Sequence, residues 1–242
     1  MTNAAIILAA GKGKRMSSDL PKVLHELGNR PMVSYVLDAV QPIVGDRAYV
    51  VVGYRAEEVI EACCNHAVHF VRQEEQLGTG HAVMQCEDAL ADFSGNVVVL
   101  NGDVPGLRSE TIRMFLDYHK EHCAAATVLT AVLDNPTGYG RIVTDGDGSL
   151  VAIVEEKDAD ENAKKIAEIN SGLFSFDKGK LYDALRSIDR SNAQNEYYLT
   201  DVISTLRSKG EIVRAFRVDD AREVAGVNTD DELEAMRDYM EG

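Results

Sequence analysis

The chain has 242 residues, 45% hydrophobic and 27% charged, with 40 acidic against 25 basic side chains and a formal net charge of −15. Such a chain can bury one large core, and its acidity argues against partners gripped through a nucleic-acid backbone or an anionic membrane surface. Cys63, Cys64, Cys86 and Cys123 lack C-x-x-C spacing, so neither a zinc site nor a disulfide framework is indicated and a reducing compartment fits.

The chain opens on a continuous apolar run at 4–10 (AAIILAA), which reads as a buried strand ended by glycine. It lacks the charged flank of a signal peptide, and no apolar run nears the ~20 residues needed to span a bilayer. A cytoplasmic protein without nucleic-acid or membrane partners is expected. The strand runs straight into Gly11-Lys12-Gly13-Lys14-Arg15, a glycine-rich basic loop where open α/β sheets bind ligands. Its spacing matches neither the P-loop nor the dinucleotide fingerprint, and alone it also reads as a solvated surface turn. Lys22 follows, flanked by Pro21 and two apolar residues and suited to phosphate as a compact charge.

A helix is expected over 32–40 with Pro31 as its first residue, then a strand at 49–52, a helix over 56–64 and a strand at 68–71. The polar stretch from Gln73 to His81 holds Gln73, Gln76, Gly78 and Thr79; glutamine amides both donate and accept, which suits a nucleobase edge. Thr79 is placed as the cap of a helix reaching about residue 90. A fourth apolar strand, 96–100 (NVVVL), ends on Asn101-Gly102-Asp103, a carboxylate at a strand tip where a Mg²⁺–nucleotide complex would bind. Ser109 is placed as the cap of the next helix.

The second half changes character. Strands are expected at 127–132, 141–144, 151–155 and 172–176, with Asp145 to Gly148 (DGDG) as a hairpin turn. Helices return at 178–187, 198–208 and 230–240. Gly140, in the Gly138-Tyr139-Gly140 turn, precedes the second of these strands. Glu155, Asn170 and Asn228 are polar residues in apolar surroundings that must find partners, whether backbone amides, sugar hydroxyls or a metal. The alternation predicts an α/β fold: a doubly wound, mainly parallel sheet with a small mixed β lobe, in one structural unit over 1–242. No repeat or hexapeptide pattern is visible.

In order and spacing, LAAGKGKRM, DLPKVLHEL, QLGTGHA, NGDVP, PTGYGRIV, IVEEKDA, EINSG, NEYYLTDVI and GVN resemble the sugar-phosphate nucleotidyltransferases, above all the members that pair UTP with N-acetylglucosamine 1-phosphate. The resemblance covers almost the whole chain and implies transfer of a uridylyl group with release of pyrophosphate. It implies that Leu8, Ala9, Ala10, Gly11 and Lys22 line the nucleotide and that Arg15 reaches the triphosphate. Gln73, Gly78 and Thr79 match the uracil side, and Asn101, Gly102 and Asp103 the ribose and metal side. Asp103 and Asn228 match Mg²⁺ ligands, and Gly140, Glu155 and Asn170 the sugar contacts. The two-function relatives are about twice this length and end in a left-handed β-helix, which is not expected here. Two alternatives stay open: a transferase for another base or sugar phosphate, and a non-catalytic sugar-nucleotide-binding regulator.

Overall fold

A computed structural model describes residues 2–13, 16, 18–145 and 149–241. Strands β1 (Asn3–Ala9), β4 (Ala48–Val52), β5 (His69–Arg72) and β6 (Asn96–Asn101) are parallel. Between the first two come a small hairpin, β2 (Glu26–Leu27) with β3 (Arg30–Pro31), and helix α1 (Met32–Val44). Helices α2 (Ala56–Ala62), α3 (Thr79–Met84) and α4 (Ser109–Glu121) fill the next connections. Further strands are β7 (Ala126–Val132), β8 (Gly140–Thr144), β9 (Leu150–Val154), β10 (Glu168–Asp177) and β11 (Val213–Arg217). Helices α5 (Lys178–Leu185), α6 (Asp201–Ser208) and α7 (Asp230–Glu241) complete the chain.

One nine-stranded sheet runs β11-β7-β10-β6-β1-β4-β5, with β8 and β9 hanging from β10. Strand β10 is antiparallel to both its neighbours, β6 and β7, and β11 is parallel to β7. The expected mixed lobe is therefore an outgrowth of the main sheet, the β8–β9 hairpin paired to β10.

Both faces of the central sheet are covered, which is why strands β1, β4 and β6 are mostly apolar. On one face Ala5, Ile7, Val50, Val98 and Leu100 pack against α1, α2 and α4. On the other Ala4, Ile6, Val51, Val97 and Val99 pack against α3, α5 and α6. The alternation of neighbours between the two clusters is the period-2 geometry of a strand.

Several local expectations are corrected. Thr79 and Ser109 are the first helical residues rather than the caps, which are Gly78 and Arg108. Their hydroxyls serve tertiary contacts: Leu199 N–H donates to Thr79 Oγ1 (3.1 Å) and Ser109 Oγ donates to the Ala39 carbonyl (2.7 Å). Pro31 caps α1 rather than opening it, and α3 stops at Met84, followed by turns. α1 continues past residue 40 through Pro42, because Val36, Val40 and Val44 form one fully buried stripe. Strand β11 was not anticipated: VRAFR carries Arg214 and Arg217, charges of the kind that protect a sheet edge. The β8–β9 pairing bears out the expected hairpin, although residues 146–148 of its turn lie outside the described residues.

Candidate active site

The sheet's connections diverge at β1, which sends the chain towards β4 on one side and is flanked by β6 on the other. Ligands bind at such a switch point, beyond the carboxyl ends of the strands. Here those ends are locked in register: Leu8 lies beside Asn101, and Gly102 N–H donates to the Leu8 carbonyl at 3.0 Å. A crevice of about 270 Å³ opens there, lined by Leu8, Ala9, Ala10 and Gly11 from β1 and its loop, Gln73, Gln76, Gly78 and Thr79 from the segment leading into α3, and Asn101 and Asp103 from the end of β6 and the turn after it. A second hollow of about 320 Å³ adjoins it and shares Leu8, Lys22, Thr79, Asn101 and Asp103. Gly140, Glu155, Asn170 and Asn228 line this second hollow. Residues from widely separated stretches of the chain thus form one continuous crevice with two subsites. Gly102 lines neither; it lies behind the wall, against Val23 and the Leu8 carbonyl. Arg15 lies outside the described residues.

Lys22 stands where the subsites meet. It opens a short 3₁₀ turn, Lys22–Leu24, whose Val23 and Leu24 are buried in the core and anchor the lysine from below. Its ammonium pairs with Asp103 Oδ2 and donates to Asn228 Oδ1 at 2.7 Å. The two charged side chains are only 15% and 17% exposed.

Asn228 reaches this place through a small separate core. Val227 is buried with Met16, Leu27, Met32 and Met236, and its N–H donates to the Asp103 carbonyl at 3.0 Å. Thr229 and Glu232 form a reciprocal capping box at the start of α7: Glu232 N–H donates to Thr229 Oγ1 (3.2 Å), and Thr229 N–H donates to Glu232 Oε2 (3.1 Å). Glu232 Oε2 also accepts the Asn228 N–H at 2.6 Å, so the cap sets the backbone of the metal-ligand candidate.

In the first hollow, Gln73 is buried; its amide donates to the Gly78 carbonyl (3.1 Å) and sits 3.1 Å from His81 Nδ1. The segment from Glu196 to Thr200 straps the subsites together. Tyr197 N–H donates to the Leu77 carbonyl and Gly80 N–H to the Tyr197 carbonyl, both at 2.8 Å. Glu196 lines the first hollow, and Leu199 and Thr200 the second. At the second hollow, β10 bulges between Asn170 and Phe174, as strands often do beside active sites. The bulge brings Gly172, at φ +82°, so close to Asn101 that a Cβ would lie 2.2 Å from its amide nitrogen. Asn170 Oδ1 accepts the Gly172 N–H at 2.9 Å, and Thr200 Oγ1 donates to Glu155 Oε1 at 3.1 Å. Burial pushes the Glu155 carboxyl above its ordinary range, against that hydrogen bond.

The strap from Glu196 to Thr200 and the Ser171-Gly172 bulge were missed as functional elements by sequence reasoning. NEYYLTDVI was visible as a segment, but nothing in it signals docking onto residues 77–80. Among the described lining residues Lys22 is the one basic side chain, facing the carboxylates of Asp103, Glu155 and Glu196.

An NTP-handling domain of this architecture is recognisable in known proteins. The family model described as the MobA-like NTP transferase domain matches residues 5–168, and the chain belongs to that family as a nucleotidyltransferase. It is 48% identical over 228 residues to the Bifunctional protein GlmU of Streptococcus uberis, covering 94% of this chain and 50% of that one. It is 46% identical over 240 residues to the protein of the same name from Streptococcus thermophilus, covering 99% and 52%. The chain thus spans about half the length of these curated relatives. Among solved structures, it superposes on a Bacillus anthracis protein described as a glucose-1-phosphate thymidylyltransferase, in complex with sucrose, with TM-score 0.77, 20% identity and coverage of 98% and 95%. HddC from Yersinia pseudotuberculosis, complexed with GMP-PN, gives TM-score 0.70, 19% identity and coverage of 99% and 100%. These likenesses bear out the fold class.

Among the described residues, no helix is long and apolar enough to cross a membrane.

Proposed function

We propose that this chain transfers a uridylyl group from UTP to N-acetylglucosamine 1-phosphate, giving UDP-N-acetylglucosamine and pyrophosphate. The observation that carries the reading is the Lys22–Asp103–Asn228 cluster at the junction of two subsites, where an α-phosphate and a sugar phosphate would meet. The motif resemblance and the names of the streptococcal relatives support the choice of chemistry and substrates.

The donor set fits Mg²⁺. One carboxylate and one amide oxygen converge on a cation already, the Lys22 ammonium, and Mg²⁺ commonly takes one or two carboxylates plus substrate phosphates rather than an all-protein cage. Among the described residues no cluster of three or more His, Cys, Asp or Glu could hold a metal, which agrees with a site completed by substrate. Asp103 and Asn228 would hold the ion, which when bound offsets negative charge on phosphoryl oxygens.

The chain's own residues then have defined tasks. A phosphate monoester has its second pKa near ~6, so the sugar phosphate is ionised at neutral pH and needs no general base. It attacks the α-phosphorus in line and pyrophosphate leaves. Lys22 and Arg15 offset charge on the triphosphate, and the residue 8–11 loop and residues 73–79 orient the nucleotide. Gly140, Glu155 and Asn170 orient the sugar. Catalysis is positioning and electrostatics.

The test is pyrophosphate release with Mg²⁺ across four nucleoside triphosphates and several sugar 1-phosphates. Release with UTP and N-acetylglucosamine 1-phosphate alone is expected. Release with another pair refutes the substrates; none with any pair, from folded protein, refutes catalysis and leaves a sugar-nucleotide-binding regulator.

A further inference from the structure

Arg141 is among the largest side chains that are fully buried, although it carries a charge, and it lines neither subsite. A buried guanidinium is costly unless paired and hydrogen-bonded. Its Nη2 lies 2.8 Å from Glu156 Oε2, and its Nη1 donates to the Tyr139 carbonyl. The same Glu156 oxygen accepts the Gly138 N–H at 3.2 Å. The pair therefore grips two successive residues of the loop leading into β8, one through its N–H and the other through its C=O. Gly138 and Tyr139 of that loop, and Gly140 at the start of β8, line the second hollow. The adjacent carboxylates divide the work: Glu155 lines the crevice, while Glu156 engages the loop and Arg141.

We propose that Arg141 and Glu156 are positioning residues for the sugar-phosphate substrate, acting as an ionic bracket, buried at Arg141 and part-exposed at Glu156, that sets the Gly138–Gly140 wall of the sugar subsite. This rests on the proposed reading of that subsite. Neither residue touches substrate. The bracket acts on sugar binding and leaves the nucleotide side alone, because none of its bonds reaches residues 8–11 or 73–79.

The test compares wild type with Glu156→Gln, Arg141→Lys and the double variant R141M/E156M. The apolar pair keeps much of the volume and avoids a stranded buried charge, so the double variant is expected to fold even where a single one fails. In folded variants, KM for the sugar 1-phosphate should rise about tenfold or more, with KM for UTP and kcat at saturating sugar within about twofold, as expected for loss of uniform binding. Amide exchange at Gly138 should quicken in the same variants. A folded double variant with unchanged KM for the sugar phosphate refutes the bracket, as does an equal rise in KM for UTP. If wild type turns over no pair, the proposed function fails. The bracket is then judged by exchange alone, and protection at Gly138 that survives R141M/E156M refutes it.

Discussion

Gly78 and Gly11 line the same hollow, yet alanine at the two positions should have different consequences. Gly78 adopts φ 108° and ψ 176°, a region open essentially to glycine alone, so a side chain there costs about 1–3 kcal/mol in backbone strain. Its Cβ would also lie 2.6 Å from the Tyr197 carbonyl oxygen, 2.8 Å from Glu196 Cβ and 3.0 Å from Tyr197 N. Two of those three atoms are backbone, so relief requires the strap to retreat. Retreat breaks the bonds from Tyr197 N to Leu77 O and from Gly80 N to Tyr197 O, each worth about 1 kcal/mol net. Gly78→Ala should therefore lose about 3–5 kcal/mol, a large part of the ~5–15 kcal/mol that holds a domain of ordinary stability. At Gly11 a Cβ would meet nothing within 4 Å. Gly11→Ala should stay within about 0.5 kcal/mol of wild type, while its methyl group enters the proposed nucleotide subsite and should raise KM for UTP. Urea unfolding followed by circular dichroism measures the first quantity and steady-state kinetics the second. Stability loss below about 1 kcal/mol in Gly78→Ala, or equal losses at both glycines, would refute the reasoning.

Asp103→Ala should fold but lose turnover by about a thousandfold or more, since it removes both a metal-ligand candidate and the partner of Lys22. Pyrophosphate release with a parallel melting curve checks this, and near-normal turnover that still requires Mg²⁺ would remove Asp103 from the metal site. A second expectation concerns His119, 1% exposed, whose pKa burial pushes down to about 4. A depressed folded-state value means that the neutral ring stabilises the fold. That contribution is complete above the unfolded value near ~6.5 and is lost as pH falls towards about 4, amounting to about 3 kcal/mol. An NMR titration should find no protonation of His119 between pH ~7 and ~5; a midpoint near ~6.5 in folded protein would contradict the burial argument.

Much of the fold was legible because it rests on local chemistry. Runs such as 97–100 are apolar at every position, as expected of a strand covered on both faces. Helix ends were less legible. A serine or threonine before an apolar run reads as a cap, but the hydroxyls of Thr79 and Ser109 are claimed by Leu199 and Ala39 from distant segments. β11 was hidden because an edge strand carries charges that mask its period.

The sequence by itself determined the inventory of the site: glycine-rich basic loop, Lys22 beside Pro21, Asp103 at a strand tip, and polar residues stranded among apolar ones. Only the tertiary structure decided who meets whom. Lys22 and Asn228 are 206 positions apart and joined at 2.7 Å, through a buried valine, a capping box and a strand tip that no local pattern connects. The same holds for Arg141. In the sequence it is one more arginine beside a glycine turn; its burial and its grip on Gly138 and Tyr139 exist because hairpin pairing sets β8 beside β9 and the turn that carries Glu156. Residue type fixes what a group can do chemically, but the energy of a charge depends on its distance to partners and to water, and folding alone sets those distances.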